Sequence, residues 1–323
     1  MPAPRILLVK LSSLGDVVHL LPAVTDLAAN RPGAHIAWAV ETPYAELVAL
    51  HPAVSRTIPV GLRRVRDRPW SPPAWRALRA AKAELRARHW DFVVDAQGLI
   101  KSACVSRWAR SPVFGPDRAS ARERLAARFY DVKIGVPRDL HAVERNRRLL
   151  AQVFGYDVST PARYGLSPPV QRPAWAPDGR YAVLLHAASR ADKRWPEDRW
   201  AALGKRLLAD GYSIVLPGGS EAERAEAARL ARAIGPGATA APAMTLADAA
   251  ALLAHATGVV GVDTGLSHLA VALGVPTVGI YCATSPRLTG LHGGELAVNL
   301  GGPRAAPDVD AVAAAAGIGR AAA

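Results

Sequence analysis

Gly258–Tyr281, GVVGVDTGLSHLAVALGVPTVGIY, reads as a strand, a tight turn, a helix and a second strand. Gly258–Val262 is apolar, β-type and too short for a helix, so it suits a buried strand. Asp263, Thr264 and Gly265 supply turn chemistry, the glycine being open to backbone angles that a side chain obstructs. Leu266, Leu269, Ala270 and Leu273 then recur at helical spacing, Gly274 suits the helix end, and Pro276–Tyr281 resumes a strand. Such a turn leaves unpaired N–H groups at a helix start, on the carboxyl edge of a parallel sheet. Phosphate groups bind there in open α/β folds.

A second turn of the same design lies near the other end of the chain. Arg5–Leu11 (RILLVKL) is a buried strand, Ser12-Ser13-Leu14-Gly15 turns, and Asp16 opens a helix with Val17, Leu20, Leu21 and Val24 on one face. Strands follow at His35–Val40, Arg56–Val60 and Asp91–Asp95, with a helix at Tyr44–Leu50 and a turn into another helix at AQGLIKSA. Leu166–Gly179 carries four prolines and no apolar period, as a linker or hinge would. The alternation restarts with strands at Tyr181–His186 and Ser213–Pro217 and helices from Glu197, Glu221 and Leu246. The expected fold is α/β: two Rossmann-like, doubly wound domains facing a cleft, at residues 1–166 and 180–323, joined by 167–179. A terminal helix at Asp308–Ile318 is free to pack back on the first domain.

Half of the 323 residues are hydrophobic, which excludes a disordered chain. The net charge of +13 calls for an anionic partner: nucleic acid, acidic lipid or a phosphorylated substrate. Much of it comes from Arg56–Arg88, where ten Arg or Lys face only Asp67 and Glu84. Arg63, Arg64, Arg66 and Arg68 fall there in a Trp- and Pro-bearing loop, and Arg122 and Arg124 add to the same half. Arg beside Trp can bind single-stranded nucleic acid, but no nucleic-acid-binding module is recognisable, and Arg forks suit carboxylates and phosphates equally well. Cys104 and Cys282 read as buried thiols of a reducing compartment. The N-terminus lacks a signal peptide's apolar core, and no run is long enough to span a membrane. The expectation is a cytoplasmic protein resting on an anionic membrane surface.

No dinucleotide fingerprint, Walker A loop, nucleophile elbow or zinc motif is present, so the candidate chemistry sits on turns at strand ends. Asp16 either stabilises a helix start or faces the cleft as a proton acceptor. Lys193, in HAASRADKRWP, is either a solvated lysine or a point charge for a diphosphate, with Ser189 as a hydroxyl donor and Arg190 or Arg194 as substitutes. Glu223, after LPGGS, could accept two ribose hydroxyls, in competition with Glu221 and Glu226. His268, and His19 at a similar distance from Asp16, are either packed core histidines or site groups.

KLSSLGDVVHLLPAV, DAQGLIKSA, HAASRADKRWP, LPGGSEAE and GVDTGLSHLAVALGVPTVGIY occur in an order and spacing that resemble the bacterial ADP-heptose:lipopolysaccharide heptosyltransferases. The resemblance runs from about Arg5 to about Leu300, and its S-S-L-G-D-V-V-H, RRVR and DAQGLIKS segments point to the branch that adds the first heptose. It implies a GT-B fold and an inverting transfer, without metal or other cofactor, of L-glycero-D-manno-heptose from ADP-heptose to the inner Kdo of Kdo-lipid A. The resemblance implies that this lipid is met on the cytoplasmic face of the inner membrane and that nucleic acid is not a partner. Carried over, Asp16 is the general base, Lys193 meets the diphosphate, Glu223 the ribose, and Met244 lies beside adenine. Asp263, Thr264, Gly265 and His268 form the donor-sugar and phosphate loop, and Arg63, Arg64, Arg66 and Arg122 suit Kdo carboxylates and lipid A phosphates. One departure is Ala188-Ser189, where two threonines are expected. The remaining readings are a sibling enzyme with another acceptor and a basic nucleic-acid-binding protein.

Overall fold

The computed structural model describes residues 3–317 and divides into two compact units, Met1–Ser167 and Pro168–Ala323. The first unit holds strands β1 (Arg5–Val9), β2 (His35–Glu41), β3 (Val54–Val60), β4 (Phe92–Asp95), β5 (Val113–Pro116) and β6 (Val132–Ile134). The second holds β7 (Tyr181–Leu185), β8 (Ser213–Leu216), β9 (Ala238–Ala240), β10 (Gly258–Val262), β11 (Thr277–Tyr281) and β12 (Ala297–Gly301). Their orders, β3-β2-β1-β4-β5-β6 and β12-β11-β10-β7-β8-β9, are the same doubly wound order, parallel throughout. In each sheet the winding reverses between two central neighbours, β1/β4 and β7/β10, which is where such folds open a ligand crevice.

β7, β10 and β11 are buried along their whole length, as strands covered by helices on both faces must be. Leu7, Val9, Ile58, Leu85, Val93 and Val113 belong to a core of the first unit; Trp200, Leu203, Ile214, Leu230, Val260 and Val278 belong to one in the second. At Gly261 a Cβ would collide with Ser267 Oγ, whose hydroxyl donates to Val262 O at 2.8 Å. The glycine therefore sets how closely the helix Gly265–Ala272 packs onto β10.

Several boundaries differ from the sequence reading. The helix expected from Asp16 is two: Leu14–Val18, with Asp16 as its third residue, and Leu21–Asn30, with Pro22 near its start where a missing N–H is tolerated. Tyr44–Leu50 is a 3₁₀ turn, Thr42–Tyr44, running into Ala45–Ala49. The arginine loop is a short helix, Leu62–Asp67, ended before Pro69, with Arg68 just outside it. Pro72–Ala87 follows as a long helix with Ala74, Ala81 and Leu85 turned inward.

Leu166–Gly179 contains no helix or strand; Ser167 N donates to Leu50 O and His255 Nε2 lies 3.1 Å from Pro169 O. The terminal helix is Val309–Ala315, capped by Asp308, and packs on Glu197–Ala209 of its own unit; Ile318, the expected last residue, lies outside the described ones. The thiols are not both buried: Cys104 is exposed and Cys282 half-buried. Cys104 falls between buried Ala103 and Val105, on the face of Ile100–Ser106 that the helical period turns outward. Among the described residues no helix is long and apolar enough to cross a membrane.

Candidate active site

In the first unit the exits of β1, β2 and β4 carry a polar cluster around Asp16. The chain leaves β1 through Lys10, Leu11 and Ser12, crosses a cis Ser12–Ser13 peptide and enters the helix Leu14–Val18. Asp16 Oδ2 accepts from Ser13 N at 3.0 Å, from Ser13 Oγ at 3.2 Å and from Arg122 Nη1 at 3.0 Å. Asp16 thus serves its helix start while 24% of its side chain stays accessible. Burial works against its negative charge, but Lys10 and Arg122 more than offset that and hold its carboxyl below the usual carboxylate range.

Lys10 is buried, and its Nζ donates to Ala96 O at 2.7 Å and Asn146 Oδ1 at 3.3 Å. Burial lowers its pKa to about 8 against the attraction of Asp16 and Asp95. Lys101 Nζ donates to Ser12 Oγ at 2.9 Å, and its own pKa is lowered by burial and by Arg63. Arg63 N lies 3.2 Å from Glu41 Oε1, its guanidinium donates to Tyr44 OH at 2.8 Å, and Glu41 itself is raised in pKa by burial. Arg63, Arg66 and Arg122 all act on the charge of Lys101; of the arginines on the short helix Arg63 is half-buried, whereas Arg64 and Arg66 are exposed. His19 is buried with its ring 5.5 Å from that of His141.

In the second unit the candidate groups lie on the carboxyl-end loops of β7 to β11. Asp263, leaving β10, accepts from Lys193 Nζ at 2.7 Å and from Thr284 Oγ1 at 2.7 Å, and His268 Nε2 lies 3.9 Å from its other oxygen. Burial opposes ionisation of Asp263, but His268, Lys193 and Thr284 together push its pKa far below the ordinary carboxylate range. Thr264 precedes the helix Gly265–Ala272, whose first N–H groups have no partner within the helix. Lys193, Asp263, Thr264, Gly265 and His268 are thereby one constellation.

Glu223 is the third residue of the helix Glu221–Ile234, and its Oε2 accepts from Gly219 N and Ser220 N, each at 2.9 Å. Both bonds fall on the same oxygen. A Cβ on Gly218 would lie 2.6 Å from Arg224 N, so the bend must be glycine. Its rivals are otherwise placed: buried Glu226 accepts from Arg194 at 3.2 Å, and Glu221 is exposed. Arg190, offered as a substitute for Lys193, is paired with Asp192. Ser189 is exposed, and Met244 is half-buried just ahead of the helix Leu246–Ala254. Ala188, at the departure, is buried and packed in the second unit's core.

Lys10, Glu41, Tyr44, Gln97, Lys101 and Thr284 are not among the site residues expected from the sequence. A charged residue inside RILLVKLSS was the one available signal for Lys10. Among the described residues no group of three or more His, Cys, Asp or Glu is arranged to hold a metal ion.

A profile of glycosyltransferase family 9 (heptosyltransferase) matches residues 78–316. Lipopolysaccharide heptosyltransferase 1 of Pseudomonas aeruginosa is 46% identical over 90% of this chain and 81% of its own length. The protein of that name from Escherichia coli K12 is 42% identical over 90% of this chain and 91% of its own. The solved structure of E. coli heptosyltransferase WaaC with ADP superposes with a TM-score of 0.87 at 39% identity, covering 95% of this chain and 97% of that one. WaaC with ADP-2-deoxy-2-fluoro heptose gives 0.84 over the same coverage. The two parallel-sheet α/β units fit the expected GT-B class. The chain belongs to glycosyltransferase family 9, the heptosyltransferases.

Proposed function

We propose that this heptosyltransferase moves L-glycero-D-manno-heptose from ADP-heptose to the inner Kdo of Kdo-lipid A in lipopolysaccharide core synthesis, with inversion at the anomeric carbon. The observation that carries the mechanism is Asp16, an accessible carboxylate held ionised by Lys10 and Arg122 at the exit of β1. Asp16 accepts the proton of the attacking Kdo hydroxyl. A carboxylate so stabilised is a weak base, so the proton moves late, when the bond to the leaving group is largely broken and the sugar is oxocarbenium-like.

The leaving ADP is met by the chain's own groups. Lys193 has three N–H donors and can hold Asp263 while reaching a phosphate oxygen. The N–H groups near Thr264 and Gly265 face the same charge, each such donor being worth about 3 kcal/mol in a preorganised site. Glu223 receives the ribose hydroxyls on the oxygen its helix cap does not use, Met244 lies against adenine, and Ser189 and His268 complete the donor contacts. Buried Ala188 offers no hydroxyl, so Thr284 is the alternative source in this site. Arg63, Arg64, Arg66 and Arg122 receive the Kdo carboxylates and lipid A phosphates.

We place the enzyme at the anionic cytoplasmic face of the inner membrane. Trp70 is 93% exposed just ahead of the helix Pro72–Ala87, along which Arg76, Arg79 and Arg86 are exposed, and aromatic and cationic groups on one segment suit a lipid surface. The deciding experiment is product analysis with ADP-heptose and a panel of acceptors with and without a first heptose. A single heptose on Kdo-lipid A is expected. Transfer only to an acceptor that already carries heptose would favour the sibling reading.

A further inference from the structure

The mechanism leaves a buried polar residue without a part. Gln97 is 3% exposed, two residues past the end of β4, and its side-chain amide spans to the other central strand's exit. Its Oε1 accepts from Leu11 N at 2.6 Å and its Nε2 donates to Ser12 O at 2.9 Å. These two backbone groups belong to Leu11 and Ser12, the two residues before Ser13, whose N–H and hydroxyl both donate to Asp16 Oδ2. Gln97 is in turn held from behind: Asp95 Oδ1 accepts from Gln97 N at 2.8 Å and Gly98 N at 3.1 Å. Asp95 Oδ2 accepts from Ser102 Oγ and Tyr130 OH, each at 2.8 Å.

We propose that Gln97 is the positioning residue for the Asp16 carboxylate. Asp95, Ser102 and Tyr130 fix the Gln97 backbone, Gln97 fixes the bend Leu11–Ser12, and that bend delivers Ser13 to Asp16. An amide suits this place because it presents one acceptor and one donor side by side, matching a backbone N–H and the next C=O. A carboxylate would set an oxygen against Ser12 O, and an apolar side chain would leave both backbone groups buried without partners. The link is geometric: general-base catalysis needs the carboxylate within hydrogen-bond reach of the hydroxyl it deprotonates. The proposal rests on Asp16 being the base.

The test compares Gln97→Met, close in size and lacking both hydrogen bonds, with Gln97→Glu, of the same shape and acceptor-only once ionised. Both are assayed with ADP-heptose and Kdo-lipid A beside Asp16→Asn. Gln97→Met should lower kcat about 10–100-fold, the loss expected when a reacting group is displaced by about 1 Å. KM for ADP-heptose and the calorimetric affinity for ADP should stay within about twofold, because Gln97 touches no donor group. A merely structural role would lower the fraction of active enzyme without this split, and titration of active sites detects that. In Gln97→Glu the protonated carboxyl can imitate the amide, so kcat relative to the parent enzyme should climb as pH falls. Asp95 and Asp16 disfavour ionisation of that carboxyl, whereas Lys10, Lys101 and Arg122 favour it; its protonated fraction grows toward low pH in either case. Parent-like kcat in both variants, with Asp16→Asn inactive, would overturn the role of Gln97 alone. Parent-like kcat in Asp16→Asn would remove the base itself.

Discussion

Asp16 and Lys10 leave the same strand six residues apart and depend on each other's charge. The ammonium lowers the carboxyl's pKa, so removing it should raise that pKa. In Lys10→Met the acid limb of kcat against pH should therefore move to higher pH, measured by initial rates at saturating ADP-heptose. An unmoved limb would mean that Arg122 alone sets the ionisation. The same linkage acts on stability. A depressed carboxyl contributes stability that is complete above its unfolded pKa of about 3.9 and is lost as pH falls through the lower folded value. For Asp16 and Asp263 that window lies on the acid side of pH 4. The long-range pairings could not be read from sequence: Arg122 is 106 residues from Asp16, and Lys193 is 70 from Asp263. Residue types and their places on strand ends were legible, but partners brought together by the parallel sheet were not.

Among the elements, the central strands were the most legible, because a run such as GVVGV is buried on both faces, whereas β5, β6, β9 and β12, toward the sheet edges, were not expected from sequence. The short helices were not. Leu62–Asp67 is one and a half turns between Gly61 and Pro69, too brief to show a period, and its arginines resemble a solvated loop. As a helix it differentiates them. Arg63 is tied to Glu41 and Tyr44, whereas Arg64 is exposed. Arg63→Glu should raise KM for Kdo-lipid A about tenfold or more, as expected for a charged contact worth at least 1.4 kcal/mol. Arg64→Glu should do so by less, and neither should alter KM for ADP-heptose. Steady-state kinetics with each substrate varied in turn decides it, and a loss confined to ADP-heptose would assign the helix to the donor.

For the whole molecule, one strand order is used twice, and in each sheet the winding reverses at a central pair of strands, the place where doubly wound folds bind ligands. The βα rhythm and the proline-rich segment made this legible in outline. The charge of +13 is the other property of the whole chain, and it predicts binding to vesicles containing anionic lipid. Sedimentation with such vesicles should fall steeply between low and physiological salt and fall further in Trp70→Ala. Equal binding to neutral vesicles would contradict an electrostatic dock. The proposed mechanism depends on one carboxylate. Asp16→Asn keeps an acceptor for the Ser13 amide while removing the proposed base and the charge paired with Lys10 and Arg122. Single-turnover rates with ADP-heptose and Kdo-lipid A should drop about 10²–10⁴-fold while ADP-heptose affinity is preserved; a rate near that of the parent enzyme would contradict the account.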